Sequence, residues 1–152
     1  MTAPQTLLQQ VEEAVQRLIQ AVQAVEDPDQ LRIGEWSLKD ILGHITFWHE
    51  NLARNMSALL EGNAPNFLKG SLADLNRASA EQARGMDVAQ IIERLRQAQA
   101  VICNSILALP AEQPFPYRKK SRDLTPAEHL ELVRDHIGGH LKDIEWTQRP
   151  KR

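Results

Sequence analysis

The sequence predicts an all-α fold: a four-helix bundle with a long crossover after the second helix (up-down-down-up), plus a short extra helix. Three observations carry this. Apolar residues recur at steps of three and four through four long stretches, the spacing that turns one helix face toward a core. Ser37, Asp87 and Thr125 each stand directly before such a stretch, where an N-cap belongs. No segment alternates with period two for long enough to make a strand.

The first helix is expected over 4–26, with Leu7, Leu8, Val11, Val15, Leu18, Val22 and Val25 on one face. Asp27-Pro28-Asp29 stops it, because proline disfavours a helical residue before it. The second is expected over 37–61, opened by a Ser37/Asp40 capping box, with Trp36 placed to staple onto Ile41. Its stripe is Leu38, Ile41, Ile45, Trp48, Leu52, Met56 and Leu59. Gly62-Asn63-Ala64-Pro65 ends it, and a long connection leads to a shorter helix over 71–84. The next long helix, 87–109, starts at Asp87 and carries Val88, Ile91, Ile92, Leu95, Ala98, Val101, Ile102, Ile106 and Leu107 on a broad apolar face. A loop stiffened by Pro110, Pro114 and Pro116 follows. The last helix, 126–147, has the clearest start: Thr125 caps, Pro126 takes the first position and Glu128 completes the box. One domain spanning 1–152 is expected from the length.

Composition removes several function classes. A formal net charge of −2 offers no global field for nucleic acid or anionic lipid. One cysteine excludes an internal disulfide framework and fits a reducing compartment, so a cytoplasmic protein is expected. No apolar run approaches the ~18 residues needed to span a bilayer, and the first residues lack the basic flank and apolar stretch of a secretory signal. Asn55-Met56-Ser57 matches a glycosylation acceptor but falls inside a helix, so it reads as chance.

Three histidines carry the chemistry. His136 and His140 are four apart, hence on one face of the last helix. His44 lies on the edge of the second helix's apolar stripe. It is about one-third along that helix from its start, and His140 is a similar distance from the end of the last. If the two helices are antiparallel, all three share a depth, roughly 10 Å from one end of the bundle. Three imidazoles would leave a position open on a divalent ion, the arrangement of a catalytic rather than a closed structural site. The competing reading is three half-buried histidines satisfied by their neighbours. Asp40, one turn before His44, is either a partner to its ring or simply the cap. His129 lies two turns from His136, too far for one ion, and His49 faces the opposite flank; both read as structural.

The run Trp36-Ser37-Leu38-Lys39-Asp40-Ile41-Leu42-Gly43-His44 resembles the W-S-x-x-D-x-x-x-H signature of the DinB-like superfamily, and His136-Ile137-Gly138-Gly139-His140 resembles its closing H-x-x-x-H helix. The resemblance covers about residues 4–148. It implies a divalent metal on His44, His136 and His140. It also implies chemistry in which a low-molecular-weight thiol such as mycothiol, bacillithiol or glutathione is transferred to a small electrophile, or hydrolysis, and a homodimer as the frequent assembly. Zinc or nickel suits imidazole ligands best, with iron or manganese also open. Trp36–Glu50 and Leu75-Asn76 are similar as well to the ClbS/DfsB branch, which implies a metal-free detoxifying or self-resistance protein. A non-catalytic module that binds a small molecule or metal is a third reading. Elemental analysis separates the metal reading from the ClbS-like one, and turnover with a thiol separates it from the binding module.

Around the histidines, Trp36, Trp48, Asn51 and Asn76 are the expected substrate-binding residues: apolar surface from the indoles and a polar anchor from either asparagine. This requires the connection after residue 62 and the short helix to return the chain to the histidine end. The basic run Tyr117–Arg122 is expected at the opposite end, as a solvated loop, and the tail Arg149–Arg152 as a frayed end. Cys103 reads as inert core. Gly138-Gly139 costs roughly 1 kcal/mol per glycine relative to alanine, explained by a close helix contact, a dimer interface, or room for substrate.

Overall fold

The computed structural model describes residues 2–149. The terminal Pro150, Lys151 and Arg152, most of the basic tail singled out above, lie outside the described residues.

Helix α1 spans Ala3–Gln23. Its start is set by a reciprocal box in which the Thr2 hydroxyl accepts from Gln5 N and the Gln5 side chain accepts from Thr2 N. It ends three residues before the expected Glu26, because the chain turns at Asp27, whose carbonyl takes Gln30 N and Leu31 N. The expectation of no strand is corrected on a small scale. Arg32–Ile33 (β1) and Trp36–Ser37 (β2) pair antiparallel across a turn in which Gly34 sits at φ +67°. Two residues per strand are too few for any periodicity to register.

Helix α2, Leu38–Leu60, begins with the Ser37/Asp40 box. Leu38 N to the Leu31 carbonyl and Lys39 N to the Pro28 carbonyl fasten that start to the preceding loop. Helix α3, Leu72–Arg84, is capped by Ser71. Helix α4, Val88–Ile106, is capped by Asp87 and stops before the expected 109. Leu109 is still buried, but from the turn beyond the helix, while Leu107 and Val101 face solvent. Helix α5, Pro126–Thr147, is opened by Thr125 and Glu128 as read.

Helices α2 and α4 pack together, as do α1 and α5, and α3 lies on α2. Pairings fix the directions. Lys39 reaches the Arg84 carbonyl just before α4, and Glu50 takes Arg94 through two bonds of 2.9 and 2.6 Å, so α2 and α4 run parallel. Arg134–Gln10 and Arg17–Glu145 advance together, so α1 and α5 run parallel. His44–His136 and Asn51–Tyr117 advance oppositely, so α2 and α5 are antiparallel. This is the up-down-down-up order. The core between the layers is built from Leu18, Ile19, Leu42, Ile45, Met56, Leu95, Ile102, Leu130, Ile137 and Ile144.

Helix α3 approaches α2 unusually closely, over Gly43: a Cβ there would lie 2.2 Å from the Cβ of Ala83. Gly138 and Gly139 are the reverse case. A Cβ on either meets nothing within 4 Å among the described residues, so a close intrachain helix contact does not account for the pair.

Candidate metal centre

His44, His136 and His140 come together between α2 and α5. The Nε2 atoms of His44 and His136 are 2.8 Å apart, and those of His136 and His140 are 3.1 Å apart. One ligand atom from each ring lies within 4.8 Å of the others. The arrangement follows from the sequence: one turn of α5 stacks two rings on a face, and antiparallel α2 brings the third to the same depth.

Burial and mutual proximity keep these rings neutral. Desolvation, then the neighbouring His136 and His140, hold His44 down to about 3. His136 is held down to about 4 by burial, then by His140 and His49. His140 is lowered by burial, against the opposing pull of Asp143. Three neutral rings thus aim Nε2 atoms at one point. A proton on one Nε2 can serve one neighbour, and the remaining lone pairs face one another, an arrangement that a single cation relieves. Zinc–imidazole bonds of about 2.0–2.1 Å in tetrahedral geometry separate ligand nitrogens by roughly 3.3 Å; the His44–His136 and His136–His140 pairs stand near that span, and the whole set lies within 4.8 Å, so the rings must close further to share such an ion. In this respect the donor set fits a divalent metal. The far nitrogen of His44 departs from the usual support: Nδ1 is buried without a hydrogen-bond partner among the described residues. Asp40 does not supply one. Its Oδ2 accepts from Ser37 N at 3.1 Å and its Oδ1 lies 3.6 Å from Arg84 Nε, so it serves as cap and ion-pair partner.

A cavity of about 410 Å³ opens beside His44 and His136. Trp48, Asn51 and Asn76 line it. The Trp48 indole donates to Asn76 Oδ1 at 2.9 Å, which locks α3 against α2 and makes it a wall. Trp36 stands apart from these three. It packs edge-on to His44, with ring centroids 4.8 Å apart, and borders a separate open depression with His140, Ile41 and Asp143.

The basic loop corrects an expectation. It lies about two turns along α2 from His44, yet it is not remote from the site, because the cavity extends that far. Asn51 Nδ2 donates to the Tyr117 carbonyl at 2.6 Å, Lys119 N donates to the Leu68 carbonyl at 2.7 Å, and Tyr117 lines the same cavity as the histidines. Irregular loops carry no period, so only the proline cluster hinted at a shaped segment there.

His129 and His49 do not join the trio. His129 Nε2 lies 2.7 Å from the Phe115 carbonyl, with the ring stacked on Phe115, and it contributes to the cavity wall. His49 is fully buried, with Nε2 2.6 Å from Gln99 Oε1. Cys103 is half-buried and donates to Glu12 Oε1 at 2.8 Å. Burial and that carboxylate raise its thiol to about 11, which disfavours the thiolate; the expected core position is corrected, since the residue is half-buried. Asn55 is buried, which no glycosylation acceptor can be.

The sequence pattern of the DinB superfamily matches residues 10–144. No curated protein matches the chain in sequence. Among solved structures, the mycothiol-dependent maleylpyruvate isomerase superposes with a TM-score of 0.76 at 10% identity. The match covers 95% of this chain and 61% of that one, so the chain spans about three-fifths of that protein's length.

Proposed function

The chain belongs to the DinB superfamily, and from that premise we propose that it is a metal-dependent enzyme that joins a low-molecular-weight thiol, or water, to a small electrophilic substrate. The observation that carries the proposal is the convergence of three neutral imidazoles on one point, beside a cavity large enough for a small molecule. The similarity in fold to a mycothiol-dependent isomerase favours the thiol as co-substrate.

His44, His136 and His140 would hold the ion, zinc or nickel best by the chemistry of their donors. A divalent cation held by uncharged ligands keeps its full charge, which lowers the pKa of a thiol or water beside it. The rest of the work falls to the chain. The depressed basicity of the three rings keeps them available as donors in mildly acidic solution. The Trp48–Asn76 bond and the Asn51–Tyr117 bond hold the walls in place, so the substrate meets a formed site.

The test pairs metal content with turnover. Chelator-treated protein is expected to take up one zinc per chain. His140→Ala should lose stoichiometric binding with unchanged helical circular dichroism. Zinc-loaded protein should accelerate conjugation of mycothiol, bacillithiol or glutathione to a chromogenic electrophile. Wild-type zinc affinity in His140→Ala would remove the assigned ligands. Equal turnover without any metal would favour a detoxifying protein of the ClbS kind, and binding without turnover a sequestering module. A cytoplasmic homodimer completes the proposal, with gel filtration as its check.

A further inference from the structure

The cavity beside the histidines is built for a particular charge state. Its surface comes from Trp48, Leu52, Leu72, Tyr117, Leu132 and Val133. Its neutral polar groups are largely engaged with the protein itself: Asn76 Oδ1 by the Trp48 indole, Asn51 Nδ2 by the Tyr117 carbonyl, His129 Nε2 by the Phe115 carbonyl. Among the described residues, no lysine or arginine lines the wall; Arg118 lies outside the lining, with its guanidinium carbon 5.7 Å from the Tyr117 ring centroid. The one carboxylate there, Asp135, is largely exposed and already pairs with Arg134 Nε at 3.0 Å. An anion entering this space would lose hydration and find no cation among the lining residues to replace it. A cation would find only a carboxylate that is solvated and spoken for. A neutral apolar body gains burial against two aromatic rings and four aliphatic side chains.

We infer that the cavity wall away from the histidines selects an uncharged, mainly apolar substrate body, held between Trp48, Leu132 and Val133, with the reacting end at His44 and His136. The position of the reacting end rests on the function proposed above; the charge preference rests on the cavity alone.

Three naphthalene probes of one shape separate the alternatives: naphthylmethanol, naphthoate and naphthylmethylammonium. In calorimetric titration of the full chain freed of metal, naphthylmethanol is expected to bind at least about tenfold tighter than either ion. The same titration should shift the Trp48 indole N–H resonance, identified by its loss in Trp48→Phe. Leu132 is 45% exposed, so Leu132→Lys should fold, and it is expected to reverse the ranking in favour of naphthoate. The inference is overturned by naphthoate binding as well as the alcohol in metal-free wild type. It is equally overturned by no binding of the alcohol, by an unmoved Trp48 resonance, or by the wild-type ranking persisting in Leu132→Lys. Zinc titration of the same preparation keeps the two readings apart. If zinc does not bind while the neutral preference holds, the metal reading fails alone. If zinc binds stoichiometrically without that preference, the cavity inference fails alone.

Discussion

Replacing Gly43 with alanine probes the contact on which the cavity's α3 wall hangs. The added Cβ would lie 2.2 Å from Ala83 Cβ, roughly 1.5 Å inside ordinary carbon–carbon contact. Both atoms sit directly on helix backbones, so neither can swing away, and α3 must shift by about that distance. Overpacking of this kind costs about 1–3 kcal/mol, and the upper end applies where no side chain can yield. Alanine in a helix interior recovers about 1 kcal/mol relative to glycine. The net expectation is a loss of about 2 kcal/mol, or a fall in Tm of about 4–8 °C for a chain of this size. Urea unfolding followed by circular dichroism measures it. Ala83→Gly alone should cost about 1–2 kcal/mol from helix propensity and the lost methyl. Combined with Gly43→Ala it removes the clash, so the double-mutant cycle should show favourable coupling of at least about 1 kcal/mol. A Gly43→Ala protein as stable as wild type, or a cycle without coupling, would refute the close approach and the wall built on it.

Acid should destabilise the fold through its buried imidazoles. Burial, opposed by the Gln99 hydrogen bond, holds His49 down to about 4, so between that value and the unfolded 6.5 the unfolded chain binds a proton that the folded one does not. Stability is therefore complete above pH ~6.5 and falls as pH drops toward 4, by on the order of 3 kcal/mol for this residue. Urea midpoints across that range should show the decline and His49→Gln should flatten part of it; a pH-independent midpoint would contradict the burial. Asp40→Asn should weaken the α2 start by roughly 0.3–1 kcal/mol through loss of the first-turn charge, yet leave zinc affinity within about threefold, since its carboxylate faces Ser37 N and Arg84. A large loss of zinc affinity in calorimetry would show that Asp40 supports His44 after all.

What could be read from the sequence follows from how local each cause is. The caps at Ser37, Asp87 and Thr125 act within four residues, and each opens a helix in the structure. The apolar stripes name most of the core for the same reason. Endings were less legible: α4 stops at Ile106 although Leu107 and Leu109 continue the apolar pattern, since a buried leucine can be supplied by a turn as well as by a helix. The juxtaposition of His44 with His136 and His140 was accessible because helical spacing and depth are arithmetic. Tyr117 in the cavity wall was not, since its place depends on a loop tied down by Asn51 and by Leu68, both more than forty residues away in sequence. The unpartnered Nδ1 of His44 was likewise invisible, because Asp40 had a second use within reach.

His44 and His136 stand 92 positions apart in the chain, and α5 packs mainly on α1 while α2 packs mainly on α4. A bond shared between these two rings would therefore act as a cross-link closing a loop of more than half the protein. In the chain-entropy picture, a closure of that length removes about 4–5 kcal/mol of freedom from the unfolded ensemble. The neighbours His136 and His140 can offer themselves together as soon as one turn of helix forms; His44 arrives only when α2 has docked. An ion's third bond would thus register the completion of tertiary assembly, making uptake a timer for folding as well as a preparation for chemistry.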